Sequence, residues 1–293
     1  MLVRANVHCH RMADVHTSAV LRGDVALADD VVVGPGCVLD GTLGPVTVGA
    51  GSNLVGQVFL TGPLTVGVGN TFYPGACVGF APQAFDWDPN EPGSGTRIGD
   101  DNSFRECVVI HRATDSDVPT TIGSHVWFMN HSHAAHDVRV ADHVTIAGGV
   151  QLAGHVRIDE RVTIGGNCGV HQLCRIGRGA MLSGGVPTTG DVAPFFMLTG
   201  FNVVSGPNVV GMRRQKLAAE VLDDIRWTFK VIYRRRLPPA AVLEALRERA
   251  GRPMVDEYIE FIETSNRGLC RCANAGSRPQ TRTETTAVAA DGR

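Results

Sequence analysis

Five of the eleven histidines lie beside apolar residues that recur at a fixed interval in the middle of the chain. Ala134, Leu152 and Val170 are 18 residues apart, and Ile110 takes the equivalent place in the coil before. If each repeat is one coil of a β-solenoid, equivalent residues stack at about 4.8 Å per coil. We therefore predict a histidine edge, roughly 15 Å long, formed by His111, His133, His136, His155 and His171.

This histidine edge suits two kinds of chemistry, metal binding and proton transfer. A metal ion needs ligand atoms that converge at about 2 Å from one point, and residues stepped along successive coils do this less well. General base catalysis needs one histidine that titrates near neutral pH and is oriented by a neighbour. His136 has such a neighbour in Asp137, although side chains adjacent in sequence need not touch. We expect proton transfer and no metal site.

The patterns of other site classes are missing or have a simpler explanation. The sequence has no Gly-x-Ser-x-Gly elbow, which argues against a serine hydrolase. Gly67-Val-Gly69 falls inside a six-residue repeat, so we interpret it as a coil corner and not as a phosphate loop. His8-Cys9-His10 and Cys270-Arg-Cys272 lack a second ligand pair at zinc-like spacing, so we expect neither a metal site nor a redox pair.

An apolar residue recurs at every sixth position over most of the first 182 residues. A period of six matches neither a helix nor an alternating strand. It is typical of a hexapeptide solenoid, a parallel β-helix in which three short strands form a coil of about 18 residues. We predict that one residue in six points inward, giving about eight coils. These positions are Val15, Leu21, Leu27, Val33, Leu39, Val48, Leu54, Leu60, Val66, Phe72, Val78, Ile98, Phe104, Ile110, Ile122, Phe128, Ala134, Val140, Ile146, Leu152, Ile158, Ile164, Val170, Ile176 and Leu182.

Three segments, 40–47, 79–97 and 111–121, interrupt the six-residue count. Counting in threes places the residues before them, Leu39, Val78 and Ile110, on one face of the solenoid, the face that carries the histidine edge. We therefore predict three loop insertions at one corner. Loops grafted onto a rigid scaffold are where function usually resides.

The pattern divides the chain into three parts. Residues 1–212 form the predicted all-β solenoid, and residues 213–268 show helical spacing, with expected helices at 214–233, 240–249 and 254–264. We expect these helices to cover the strand edge at the end of the solenoid. Residues 269–293, rich in Ser, Thr, Arg and Ala, are predicted to be disordered.

Composition narrows the class of protein. The 35 glycines and 6% aromatic content suit tight coil corners, and the net charge of −2 gives no indication of a nucleic-acid partner. No apolar run of about 18 residues suggests a membrane span, and the N-terminus lacks a hydrophobic signal core. We expect a cytoplasmic protein whose eight cysteines are mostly buried, reduced thiols.

Several motifs resemble those of the acyl-carrier-protein-dependent UDP-N-acetylglucosamine O-acyltransferases of lipid A biosynthesis. The most specific are His133-Ala-Ala-His-Asp137 and Leu152-Ala-Gly-His-Val156, in this order and spacing. The resemblance covers about residues 15–269. The other matching pieces are Val109-Ile-His-Arg112, Val170-His-Gln-Leu-Cys174, Gly211-Met-Arg-Arg214, Phe229-Lys-Val-Ile-Tyr-Arg234 and Ser265-Asn-Arg-Gly-Leu269.

The resemblance implies a left-handed parallel β-helix, a homotrimer with active sites between neighbouring subunits, and no cofactor. It implies transfer of an R-3-hydroxyacyl group from acyl carrier protein to the 3-hydroxyl of UDP-N-acetylglucosamine. His136 would be the general base, Asp137 would orient it, and the Gly154 N–H would stabilise the oxyanion. Gly184 would leave room for the acyl chain. The sugar nucleotide would be held by Gln83, His111, His133, His155, His171, Gln172 and Arg214.

Three departures from the family pattern concern the acceptor. Ala84 stands where an Asp is usual, Asp86 where a Lys is usual, and Gln215 where a second Arg is often found. A lost cation and a gained anion weaken binding of a diphosphate. We expect UDP-N-acetylglucosamine to remain the acceptor if cations such as Arg97, Arg112 or Arg214 compensate.

Three alternatives stay open at this point. The first is a related acyltransferase that acts on another sugar or amino-sugar nucleotide. The second is an N-acyltransferase that uses acetyl-CoA, which the His136-Asp137 pair and the helical tail disfavour. The third is a catalytically silent trimeric scaffold, against which His136, Asp137 and Gly154 argue.

Overall fold

The computed structural model describes residues 7–9 and 13–272. Its main body is a parallel β-helix with three faces, and each coil pairs with the next through short parallel strands. Face 1 contains the strands Phe59–Thr61, Cys77–Phe80, Val109–His111, His133–Ala134, Gln151–Leu152 and Gly169–Val170. Face 2 contains Val7–Cys9, Leu64–Val66, Thr96–Ile98, Thr120–Ile122, Arg139–Val140, Arg157–Ile158 and Arg175–Ile176.

Face 3 closes each coil. Its strands are Asp14–Val15, Val32–Val33, Asn53–Leu54, Thr71–Phe72, Ser103–Phe104, Trp127–Phe128, Thr145–Ile146, Thr163–Ile164 and Met181–Leu182. The longer strands Val20–Leu27 and Val38–Val48 continue from face 1 to face 2. The insertion 40–47, which we expected to be a loop, is therefore part of a strand. Segments 79–97 and 111–121 do separate face 1 from face 2 at a single corner, as predicted.

The core contains more than the predicted ladder of inward residues. All 25 predicted positions are buried except Val15 and Leu21, which are half-buried. A second buried ladder lies two residues before the first, as in Val138 and Val156. One inward residue in six was therefore too few, because most six-residue repeats bury two side chains in the interior. Rings of Phe72, Phe104 and Phe128 stack along face 3.

The helical part begins slightly earlier than expected and holds four helices in the described residues: α1 (Val209–Arg214), α2 (Ala219–Tyr233), α3 (Pro239–Arg247) and α4 (Pro253–Glu263). The predicted helix 214–233 corresponds to α2, which begins at Ala219, and Arg214 is the last residue of α1. Proline at the start of α3 and α4 suits the helix N-terminus, where its missing N–H costs nothing. Tyr258 of α4 fixes the helices to the solenoid by donating to the Pro194 carbonyl at 2.7 Å.

The end of the solenoid is covered by strands as well as helices. Phe196–Gly200 pairs in parallel with Met181–Leu182, and Val203–Pro207 pairs antiparallel to Phe196–Gly200. Arg271–Cys272 then adds a parallel strand beside Val203–Pro207. The prediction of disorder is therefore wrong for residues 269–272, where Cys270 is only 2% exposed. The remainder of that segment, 273–293, lies outside the described residues. No helix in the described part of the chain is both long and apolar enough to cross a membrane.

Candidate active site

The corner between face 1 and face 2 brings His136 and Asp137 together. Asp137 adopts a left-handed backbone conformation, with φ of 61°. This turn folds its side chain back, so that His136 Nδ1 lies 2.7 Å from Asp137 Oδ2. The His136 side chain is 19% exposed and that of Asp137 only 6%. The pair has the geometry of an oriented base, with one imidazole nitrogen on a carboxylate and the other free for a substrate.

Asp137 is held as an anion by a set of donors. Its Oδ2 accepts from the Thr114 hydroxyl at 2.6 Å, and its Oδ1 accepts from the Thr114 and Asp115 N–H groups at 3.1 Å each. Burial by itself would raise the pKa of this carboxyl. The hydrogen bonds from His136, Thr114 and Asp115 outweigh that effect and hold the pKa of Asp137 well below its usual range.

The Asp137 charge fixes the tautomer of His136. Every neighbour of the carboxylate donates to it, so His136 Nδ1 carries a proton and Nε2 is left as the acceptor. Nε2 faces Gly154 of the next coil, where an added Cβ would lie only 2.9 Å from it and 2.7 Å from Cε1. A side chain at residue 154 would therefore displace the His136 ring from this position.

A cavity of about 580 Å³ lies over face 1 in front of His136 and Gly154. It gathers most of the residues predicted from the sequence. Those that line it are Gln83, His133, His136, Gly154, His171 and Gln172. The Gly154 N–H donates to no backbone or side-chain acceptor within residues 13–272, which leaves it available to a ligand.

His111 and His133 form a neutral pair beside this cavity. Their rings meet edge to face at 5.1 Å. His111 Nδ1 donates to the Ala81 carbonyl at 2.6 Å, which ties the 79–97 insertion to face 1. Burial, with a further contribution from His111, lowers the pKa of His133 to about 4. Both Nε2 atoms are buried without a partner in the described structure, and such atoms call for a ligand or water.

The other two residues of the histidine edge, His155 and His171, lie apart from each other. His155 is 47% exposed and lines a second, polar cavity of about 320 Å³ on face 2, with its Nε2 3.6 Å from Asp137 Oδ2. His171 stays on face 1, where Arg267 Nη2 lies 3.3 Å from its Nδ1. Arg267 also donates to the carbonyl of Thr189 on the cavity wall. The structure thus places a cation at the rim, Arg267, that is not among the site residues predicted from the sequence.

Two predicted residues are not brought to the cavity by this one chain. Arg214 is exposed at the end of α1, among the C-terminal helices. Gly184 lies at the opposite edge of face 1, stacked on Gly166, whose carbonyl would be 3.3 Å from an added Cβ. An acyl chain that runs from Gly154 to Gly184 would have to cross face 1.

The cations expected to compensate for Asp86 and Gln215 make other contacts or lie away from the cavity. The Arg112 guanidinium is buried and donates to the carbonyls of Gly79, Pro89 and Glu91, so it holds the 79–97 insertion in place. Arg97 lies on the outer side of face 2 and does not line the cavity. Of the cavity-lining residues that the structure describes, none is Lys or Arg.

His136, Asp137 and His155 also offer ligand atoms within 4.8 Å of one another. The Asp137 oxygens, however, already accept four hydrogen bonds from His136, Thr114 and Asp115. Their lone pairs are directed at these donors, so we interpret the group as a hydrogen-bonded dyad with His155 alongside.

Known proteins share this architecture and these motifs. A family model described as "Udp N-acetylglucosamine O-acyltransferase; Domain 2" matches residues 191–270. The acyl-[acyl-carrier-protein]–UDP-N-acetylglucosamine O-acyltransferase of Thermodesulfovibrio yellowstonii is 32% identical, over 89% of this chain and 100% of the relative. That of Synechocystis sp. is 35% identical, over 71% of this chain and 75% of the relative.

Solved structures agree with the sequence relatives. The UDP-N-acetylglucosamine acyltransferase of Francisella novicida superimposes with a TM-score of 0.81 at 31% identity, covering 91% of this chain and 95% of that one. The O-acyltransferase of Moraxella catarrhalis gives 0.78 at 31% identity, over 90% and 99%. The predicted fold class, a left-handed parallel β-helix with a C-terminal helical domain, is confirmed. The chain belongs to the family of acyl-[acyl-carrier-protein]–UDP-N-acetylglucosamine O-acyltransferases.

Proposed function

We propose that this enzyme transfers an R-3-hydroxyacyl group from acyl carrier protein to the 3-hydroxyl of UDP-N-acetylglucosamine, the first step of lipid A biosynthesis. One observation carries the proposal: His136, oriented by Asp137, packs against Gly154, whose N–H has no acceptor in the described structure, and both residues line one cavity. Relatives with this reaction in their names cover nearly the whole chain. An acyl-transfer assay with a panel of sugar nucleotides tests it directly.

In the proposed mechanism His136 Nε2 removes the proton of the sugar hydroxyl as the hydroxyl oxygen attacks the thioester carbonyl carbon. The carbonyl oxygen becomes an oxyanion, which the Gly154 N–H stabilises by about 3 kcal/mol, as for single donors in other enzymes. The intermediate then re-forms its carbonyl and breaks the carbon–sulfur bond. The carrier thiolate takes the proton from the His136 imidazolium, which returns the base to its starting form.

The remaining predicted residues are proposed to bind the two substrates. His133, His171, Gln172 and Gln83 line the cavity and offer hydrogen bonds to the sugar nucleotide. The unpartnered Nε2 atoms of His111 and His133 support this assignment. His155 and Arg214 are proposed to contact the acceptor, and Gly184 to contact the acyl chain.

The proposed assembly is a homotrimer with its active sites between subunits. In one chain the cavity is open and Arg214 lies outside it. A neighbouring copy would supply the missing wall and the missing cations. We place the enzyme in the cytoplasm, since the seven cysteines between Cys37 and Cys272 are all free thiols, as is usual in a reducing compartment.

A second candidate function, with another sugar nucleotide as the acceptor, is favoured by Asp86 and Gln215. If UDP-N-acetylglucosamine is the acceptor, the double change Asp86→Lys with Gln215→Arg should lower its KM about tenfold or more, because two cations then attract the diphosphate. Steady-state kinetics at low salt measure this.

Glu91→Lys, in the same insertion as Asp86 and also exposed, is the matched control for charge and should leave KM nearly unchanged. An unaltered KM in the double variant, together with faster turnover of a different sugar nucleotide by the native enzyme, would identify the second candidate as correct.

The carrier is proposed to dock on the basic C-terminal helices. Arg213, Arg214, Lys216, Lys230 and the run Arg234–Arg236 form no ion pair within the described residues. Reversing the charges of Arg234–Arg236 to Glu should raise the KM for the acidic carrier at least tenfold at low salt, with little change in the KM for the sugar nucleotide.

Arg22→Glu, near the other end of the solenoid, serves as the control for this prediction. The effect should fade as salt is raised, because the pairs are exposed. A carrier KM that is the same in the triple variant and the native enzyme would rule out docking at this surface.

A further inference from the structure

Thr114, in the 111–121 insertion, contacts the candidate dyad although it lines neither cavity. Thr114 is half-buried, and its hydroxyl and its backbone N–H both donate to the Asp137 carboxylate. The hydroxyl contact, at 2.6 Å, is as short as the one between His136 and Asp137. Short hydrogen bonds to an ionised acceptor are about twice as strong as neutral ones.

The insertion is shaped to present these donors. The Asp115 side chain accepts from the N–H groups of Asp117 and Val118 at 2.8 and 3.0 Å, which fixes the turn. Ser94 donates its N–H and its hydroxyl to the Asp115 carbonyl, so the 79–97 and 111–121 insertions are tied together. At the far end of the loop, the Thr120 hydroxyl accepts from the Asp137 N–H at 2.8 Å.

We propose that Thr114 is a positioning residue that acts on the base through Asp137. Its hydroxyl and the adjacent N–H groups fill the carboxylate sites that His136 does not use. The carboxylate is thereby kept ionised and its remaining lone pair is aimed at His136 Nδ1, which leaves Nε2 as the proton acceptor. The inference rests on the proposed role of His136 and adds the insertion as the third member of a Thr–Asp–His relay.

Two substitutions separate the hydroxyl from the shape of the side chain. Thr114→Val keeps the shape and removes the donor, and we expect kcat to fall about tenfold while both KM values change less than twofold, since outer partners of this kind are worth about 10–100-fold. Thr114→Ser should restore most of the activity. Thr121→Val, whose hydroxyl donates to the Pro119 carbonyl in the same insertion, is the control and should retain full kcat.

The pH dependence gives a readout that a purely structural role would not change. Without the Thr114 hydroxyl, more of the Asp137 charge acts on the imidazolium of His136. The acid limb of the kcat/KM profile should then move to higher pH in Thr114→Val and stay in place in Thr121→Val.

Three results would overturn the inference: unchanged kcat and acid limb in Thr114→Val, an equal loss in Thr121→Val, or a Ser variant as impaired as the Val variant. A failure of this inference can be distinguished from a failure of the proposed function. If Thr114→Val is silent but His136→Ala is inactive, only the relay is wrong. An active His136→Ala enzyme would instead remove the base on which the relay depends.

Discussion

Replacing His136 with alanine is expected to lower kcat by about 10²–10⁴-fold, the usual contribution of a general base. His136 Nε2 lies against Gly154, and the Asp137 carboxylate at Nδ1 leaves Nε2 as the proton acceptor. The KM values should change little, since the imidazole contacts the reacting hydroxyl and leaves the diphosphate to other residues. Single-turnover assays with excess enzyme separate this loss of chemistry from changes in binding.

His131→Ala is the matched control, because His131 belongs to the same coil but is exposed at the opposite edge of face 1. It should retain native kcat. Both variants should keep the native thermal midpoint, since His136 contributes little to the apolar core. Near-native turnover by His136→Ala would show that another group is the base.

Gly154→Ala is expected to be nearly as damaging, with kcat reduced about 10²-fold by misplacement of the base. The new methyl group would lie 2.7 Å from Cε1 and 2.9 Å from Nε2 of His136, closer than van der Waals contact permits. The ring must then turn away from Asp137, or the coil must shift and carry the Gly154 N–H with it. Either movement disrupts the alignment between the proposed base and the proposed oxyanion donor.

Gly206→Ala provides the control for this second substitution. An added Cβ at Gly206 meets nothing within 4 Å, so activity and stability should be preserved. A crystal structure of Gly154→Ala should show the His136 ring displaced. Full activity in Gly154→Ala, with the ring in its native place, would mean that the site tolerates a side chain that this geometry excludes.

The sequence by itself determined the solenoid, its faces and the corner that carries the site. A parallel β-helix pairs each coil with the next, so a six-residue period in the chain is also a period in space, and counting locates each residue. That is why His111, His133, His136 and His171 fall near one another as predicted. The second buried ladder was equally visible as valines two residues before the first, as in Val138 and Val156.

Contacts made by residues of the insertions could not be predicted from the six-residue period. Thr114 and Asp137 are 23 residues apart in the chain, and only the folded loop places hydroxyl and carboxylate at 2.6 Å. The same applies to Arg112, whose buried guanidinium holds the 79–97 insertion and is not free for a diphosphate. A loop has no period, so its side chains take positions fixed by hydrogen bonds that the sequence pattern does not express.

The tertiary structure also decided whether side chains that are adjacent in sequence touch. His136 and Asp137 touch because the left-handed turn at Asp137 folds its carboxylate back onto the imidazole. A turn of the same kind at His155, with φ of 60°, directs that ring to the cavity on face 2. The six-residue period assigns a residue to a corner, but the backbone angles at the corner determine on which of two faces its side chain lies.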